Sequence, residues 1–226
     1  MPTADDFQAL ARSSPWLWRS AHLRYRGGLG EAEAWVERPG RTRVRPATGE
    51  EQVLEEDRPS VAYVSFSGTA SELTVKRPNE VEPVRRTDGL VSARPQDLSI
   101  AYGDPVWRNY SWVALLDPVE LSSGVAVDRV GSEVRSGRET WTARLAPLAD
   151  YQATCGCCAL LWSRVAADEA GFHKPGNTYP SSYDVALDRA TGIVVSARPS
   201  TPGFEDRSSL AFEVDVMSHD AWPPVG

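Results

Sequence analysis

The stretch AHLRYRGGLGEAEAWVERPGRTRVR, residues 21–45, decides the fold, and its period is two. In Ala21-His22-Leu23-Arg24-Tyr25-Arg26 the apolar residues alternate with His and Arg. In Glu31-Ala32-Glu33-Ala34-Trp35-Val36-Glu37 they alternate with acids and one Trp, and in Arg41-Thr42-Arg43-Val44-Arg45 with arginine. Successive side chains of a strand point to opposite faces, so each segment is a strand with one apolar and one charged face. The charged faces run Arg, Glu, Arg. Opposite charges across an antiparallel pair contribute about 0.2–1 kcal/mol each, which favours an up-down meander. Gly27-Gly28-Leu29-Gly30 and Pro39-Gly40 supply the two turns. A three-residue loop of Pro39, Gly40 and Arg41 puts Val36 opposite Val44 and Glu37 opposite Arg43. A two-residue loop would set Val36 against Arg43 and mix the faces, so the longer connection is expected.

Upstream, Asp5 or Asp6 caps a short helix with Phe7, Leu10 and Ala11 on one face. Downstream, residues 61–67 and 72–76 read as strands, and residues 77–94 as a long polar loop with room for one short strand. Two helix starts follow. Asp104-Pro105 is an N-cap with Pro at the first helical position, leading into Val106, Trp107, Tyr110, Trp112 and Val113. Asp117-Pro118-Val119-Glu120 repeats the cap and adds the acid of a capping box, stopping near Gly124. Strands resume at 125–134 and 139–147, and residues 158–170 read as a further helix closed by Gly171. In the last third Tyr183, Val185 and Leu187 alternate with polar positions, and 188–192 turns the chain. Ile193, Val195 and Ala197 resume the pattern, and Leu210, Phe212, Val214 and Val216 make a final strand.

At 226 residues the chain fits one β-rich domain, residues 1–226, with enough length to bury a core unaided by disulfide or metal. Charged residues make up 24% and apolar ones 41%, which excludes global disorder. A net charge of −7 speaks against nucleic-acid or anionic-membrane partners, and no apolar run approaches the ~20 residues of a membrane span.

The order helix, meander, helix pair, antiparallel return resembles that of the bacterial lipoprotein-carrier superfamily, the LolA-like and RseB-like proteins. Three pieces carry the resemblance. Residues 34–44, Ala-Trp-Val-Glu-Arg-Pro-Gly-Arg-Thr-Arg-Val, are similar to its strand, Arg-Pro turn and strand. Residues 185–193, Val-Ala-Leu-Asp-Arg-Ala-Thr-Gly-Ile, are similar to its late strand-Asp-x-x-Gly-strand hairpin, followed here by Asp206-Arg207-Ser208-Ser209. Trp222-Pro223-Pro224-Val225-Gly226 is similar to its aromatic and Pro-Pro-x-Gly ending. The resemblance implies an α+β fold: a curved antiparallel sheet, an incomplete β-barrel, with helices covering a concave apolar face that holds an acyl chain or a partner segment. It also implies that Arg38, at the Arg-Pro position, helps hold the covering helices; read from the turn alone, Arg38 is turn decoration. Family members normally travel through an export signal. Residues 1–7 have neither a basic n-region nor an apolar h-region, so the expected location is cytoplasmic.

Chemistry concentrates at Cys155-Gly156-Cys157-Cys158, a C-x-x-C with a third thiol inside it. Thiolates at that spacing grip zinc or Cu(I), with His173 or Asp168 completing a tetrahedron. A Cys158 that opens a helix would have its pKa lowered, which favours redox chemistry. The competing reading is packing, because free cysteine is commonly buried and no second C-x-x-C or H-x-x-x-H occurs. No G-x-S-x-G, H-E-x-x-H or P-loop is present, and Gly28-Leu29-Gly30 fails the dinucleotide pattern because Glu33 stands where the third glycine belongs. No catalytic residue and no cofactor is expected, apart from zinc or copper at the cysteines.

Eight tryptophans exceed what packing usually demands. With Trp35 and Arg38, the set Trp107, Tyr110, Trp112 and Val113 is the candidate ligand-binding group, against the alternative that the rings wedge helices onto the sheet. The expectation is a non-catalytic protein holding a hydrophobic small molecule or protein segment between sheet and helices. Two alternatives stand beside it: a thiol-dependent metal or redox protein, and a regulatory partner-binding domain using the same cleft.

Overall fold

In the computed structural model the alternation of residues 21–45 becomes strands β1 (Ser20–Gly27), β2 (Gly30–Glu37) and β3 (Arg41–Pro46) of an antiparallel meander. The structure describes all residues except 57–60, 67–68, 98, 205–209 and 223–226, and leaves the side chains of 61–66 and 69–73 undescribed. The segments Asp206-Arg207-Ser208-Ser209 and Pro223-Pro224-Val225-Gly226 therefore lie outside the described residues, as does the final residue of the strand expected at 61–67. The charged ladder forms as expected: Arg24 faces Glu33, and Glu33 faces Arg45 on the next strand. The second loop has three residues, but they are Arg38, Pro39 and Gly40, and the pairs are Val36↔Thr42 and Ala34↔Val44. Register is thus two residues from the expected one. A shift of two keeps every side chain on its own face, so face sorting cannot tell the two registers apart.

The main sheet continues through β4 (Gln52–Glu55), β9 (Val125–Arg135), β10 (Arg138–Pro147), β11 (Tyr183–Asp188), β12 (Val194–Pro199) and β13 (Phe212–Asp220), in the order β4-β3-β2-β1-β13-β12-β11-β10-β9. Two small hairpins lie outside it, β5 (Val61–Phe66) with β6 (Thr69–Thr74) and β7 (Val84–Arg85) with β8 (Val91–Ala93). The pairing of β1 with β13, from Ser20↔Asp220 to Gly27↔Phe212, joins the two ends of the chain in mid-sheet. The architecture is α+β, a large curved antiparallel sheet with a few helices packed against it.

Helix α1 (Ala4–Leu17) buries Phe7, Leu10 and Ala11 and runs for 14 residues, longer than expected. Its N-cap is Thr3, whose hydroxyl accepts the Asp6 N–H at 3.2 Å while the Asp6 carboxylate accepts the Thr3 N–H at 2.8 Å. Asp6 is thus the acid of a capping box rather than the cap itself. Helix α2 (Tyr110–Leu116) begins five residues after the expected start, capped by Asn109. Asp104 caps nothing because Arg38 binds its carboxylate, and Arg108 adopts a φ of 63° that interrupts any helix before it. The second expected helix shrinks to one 3-10 turn, Val119–Leu121. Arg94 holds the Asp117 carboxylate, and Glu120 turns into the core. The third is likewise shorter: a 3-10 turn at Gly156–Cys158 precedes α3 (Arg164–Glu169), which Gly171 does close with a φ of 70°.

Candidate functional site

Helices and sheet meet across a packed interior. Trp107 and Trp112 are 1% and 0% exposed and contact each other edge to face with centroids 5.3 Å apart. Both lie 6.1 Å from the Tyr25 ring on β1, which stacks on Phe212 of β13 at 5.9 Å. These rings wedge α2 onto the sheet, so the expected cleft around Trp107 and Trp112 is occupied by the core itself. Trp35 is no part of it either. Twofold alternation turns it to the opposite, charged face, where it stacks on His22 at 4.8 Å beneath Arg43.

Two of the expected ligand residues reach the outer side of α2. Tyr110 and Val113 help line an open groove of about 760 Å³, together with Ile100, Tyr102, Val106 and Val119. Tyr110 is 50% and Val106 36% exposed, so apolar surface stands at the mouth. Among the described lining residues the only cation is Arg94, whose guanidinium is bound to Asp117 and to the Arg12 carbonyl. Glu56 and Asp97 add acid to the rim. Ile100 and Tyr102 carried no sequence signal, because they sit in an irregular loop.

Arg38 is a strut rather than turn decoration. It is 7% exposed and holds Asp104, 1% exposed, through Nε to Oδ1 at 3.0 Å and Nη2 to Oδ2 at 2.8 Å. It also donates to the carbonyls of Ser14 on α1 at 2.8 Å and Leu116 on α2 at 3.2 Å, and lies 3.5 Å over the Trp18 ring. One side chain on the β2–β3 turn thereby ties both helices to the sheet.

The three cysteine sulfurs lie within 4.8 Å of one another: Cys155 to Cys157 is 3.1 Å and Cys157 to Cys158 is 3.7 Å. His173 and Asp168, the expected further ligands, do not join the cluster and bind each other instead, at 2.6 Å. Cys158 opens no α-helix, so the expected helix-lowered thiol is corrected. Burial, then hydrogen bonding with the neighbouring thiols, pushes it up to about 12. Cys155 is shifted down, chiefly by its hydrogen bond with Cys157. Cys157 and Cys158 border a cavity of about 200 Å³ lined by Tyr25, Leu29, Ser111, Leu160 and Phe212.

Glu120 sets the shape of this loop, and no sequence reading pointed to it; its Asp-Pro-x-Glu context suggested a cap. It lies buried behind the cysteines. It accepts the Tyr151 hydroxyl at 2.6 Å and the backbone N–H groups of Thr154 at 2.7 Å and Leu160 at 2.8 Å. Burial raises its pKa against those hydrogen bonds.

No protein-family model and no curated protein sequence matches the chain. Among solved structures it is similar to the Mycobacterium tuberculosis lipoprotein LppX, with 14% identity and a TM-score of 0.42 over 97% of each chain. It is similar to MucB, with 13% identity and a TM-score of 0.40, covering 96% of this chain and 60% of that one. It is also similar to LprF from Mycobacterium bovis, with 11% identity and a TM-score of 0.36 over 100% and 97% of the two chains. The cytoplasmic expectation is corrected here: LppX is a lipoprotein, and the composition of residues 1–7 assigns this chain to no compartment. No helix among the described residues is long and apolar enough to cross a membrane.

Proposed function

We propose that the protein is a non-catalytic carrier that holds an uncharged, elongated apolar ligand in the groove beside α2. The observation that carries this reading is the groove's size and lining. About 760 Å³ falls within the range of small-ligand sites, and the apolar wall of Ile100, Val106, Tyr110, Val113 and Val119 offers hydrophobic contact along its length. The charge of the lining supports an uncharged ligand. Arg94, the one cation among the described lining residues, is already engaged by Asp117 and so offers no free partner to a fatty-acid head group.

The test is fluorescence titration with two probes, a pyrene-labelled neutral alkyl ester and the corresponding pyrene fatty acid. The neutral ester is expected to bind more tightly. Tyr110→Ala and Val106→Asp should each weaken it about tenfold, the loss expected when roughly 1.4 kcal/mol of apolar contact is removed. Binding of neither probe, or equal binding by both variants and the parent chain, would overturn the reading.

A further inference from the structure

We infer that Cys155, Cys157 and Cys158 form a three-coordinate thiolate site for Cu(I), held in shape by the buried carboxylate of Glu120. A metal about 2.3 Å from each of three coplanar sulfurs sets those sulfurs about 4.0 Å apart. The sulfurs here are separated by 3.1 Å, 3.7 Å and no more than 4.8 Å, so small side-chain rotations complete the triangle. The backbone needs no rearrangement, because the loop is already closed. Thr154 and Leu160 flank the three cysteines, and both donate their N–H groups to the one Glu120 carboxylate. Within the loop the Cys158 N–H donates to the Cys155 carbonyl at 3.1 Å.

The donor set selects the metal. Soft thiolates favour Cu(I) and zinc, and structural zinc takes four protein ligands in a tetrahedron. No fourth His, Asp, Glu or Cys joins the three sulfurs among the described residues. Three sulfurs suit a monovalent d¹⁰ ion better. Cys157 is exposed and its two neighbours half-buried, so the ion can enter from solvent. Coordination displaces the proton of each coordinating thiol to solvent and changes no oxidation state.

The test is an anaerobic titration of the full chain, kept reduced with a phosphine, in which Cu(I) is supplied as its bicinchoninate complex. The chain is expected to withdraw one equivalent of copper from the chelator and, once loaded, to protect all three thiols from alkylation. Cys155→Ser, Cys157→Ser and Cys158→Ser should each lower the affinity at least about tenfold, since loss of a mere outer partner of a metal ligand already costs that much. Cys157 is exposed, so its variant separates ligand loss from misfolding, with unchanged circular dichroism as the check. Failure to withdraw copper, or undiminished affinity in the Cys158→Ser chain, would refute the three-sulfur site. Zinc retained in preference to copper would refute the metal assignment.

Discussion

Arg38 and Asp104 are both almost out of water, and a buried ion pair is costly to form and costlier to break. The pair is kept because the guanidinium does more than neutralise a carboxylate. Its remaining donors serve the carbonyls of Ser14 and Leu116, at or near the ends of α1 and α2, where backbone acceptors lack helical partners. Lysine carries the same charge without the planar fork. Arg38→Ala should therefore cost about 3–5 kcal/mol by leaving Asp104 charged and unpaired, and Arg38→Lys should recover only part of that. Urea denaturation of the three chains measures both losses. A loss under about 1 kcal/mol for Arg38→Ala would show that the strut is dispensable.

At the scale of an element, α1 shows how a helix end is specified. Thr3 and Asp6 satisfy each other's backbone N–H groups, and Arg86 from the β7–β8 hairpin pairs with Asp6 and Asp5. The Thr3 backbone and Arg86 together hold the Asp6 carboxyl near 2, below its ordinary 3.8. Because the folded pKa is the lower one, the stabilisation is present above the unfolded value and is lost as pH falls from 3.8 through about 2. Asp6→Asn should cost about 0.5–1 kcal/mol at neutral pH, Asp6 being half-buried and still in contact with water, and the gap should close as the buffer is taken to pH 2. Thermal melts of both chains across that range decide it; a constant gap would place the cost in shape rather than charge. The helices that misled sequence reading share one cause. Asp104, Asp117 and Glu120 have the right spacing for caps, yet each finds a partner distant in sequence, Arg38, Arg94 or Tyr151.

For the whole molecule, α2 stands between two sites. Tyr110 and Val113 face the groove, while Ser111 lines the cavity that Cys157 and Cys158 border. The sites touch at Thr154, which lines the groove and donates its N–H to Glu120, and at Tyr110, whose backbone N–H bonds the Cys158 thiol. Replacing the Tyr110 side chain leaves both backbone contacts in place, so the two ligands should bind independently. Tyr110→Ala is expected to lose the neutral probe yet hold copper within about twofold of the parent chain, and Cys157→Ser to do the reverse. Titrating each ligand into each variant tests this. A copper affinity that fell with Tyr110→Ala would mean that α2 couples the sites.

Most strands were legible in the sequence because their signal is local, whereas β4 and the two-stranded β7–β8 hairpin, where a loop with a single short strand was expected, lie in polar stretches without alternation. Alternation in 21–45 and 183–197 sets which face each side chain takes, and Gly27-Gly28-Leu29-Gly30 and 188–192 turn the chain by their own chemistry. The thiol cluster was visible for the same reason, its members being sequence neighbours, whereas its isolation from His173 was not. Tertiary structure alone decided that Ser20 pairs with Asp220, that the tryptophan-lined cleft is filled, and that Glu120 clamps the cysteine loop. Local periodicity is written in adjacent residues, but a buried carboxylate or ring takes whichever partner the folded chain brings within reach.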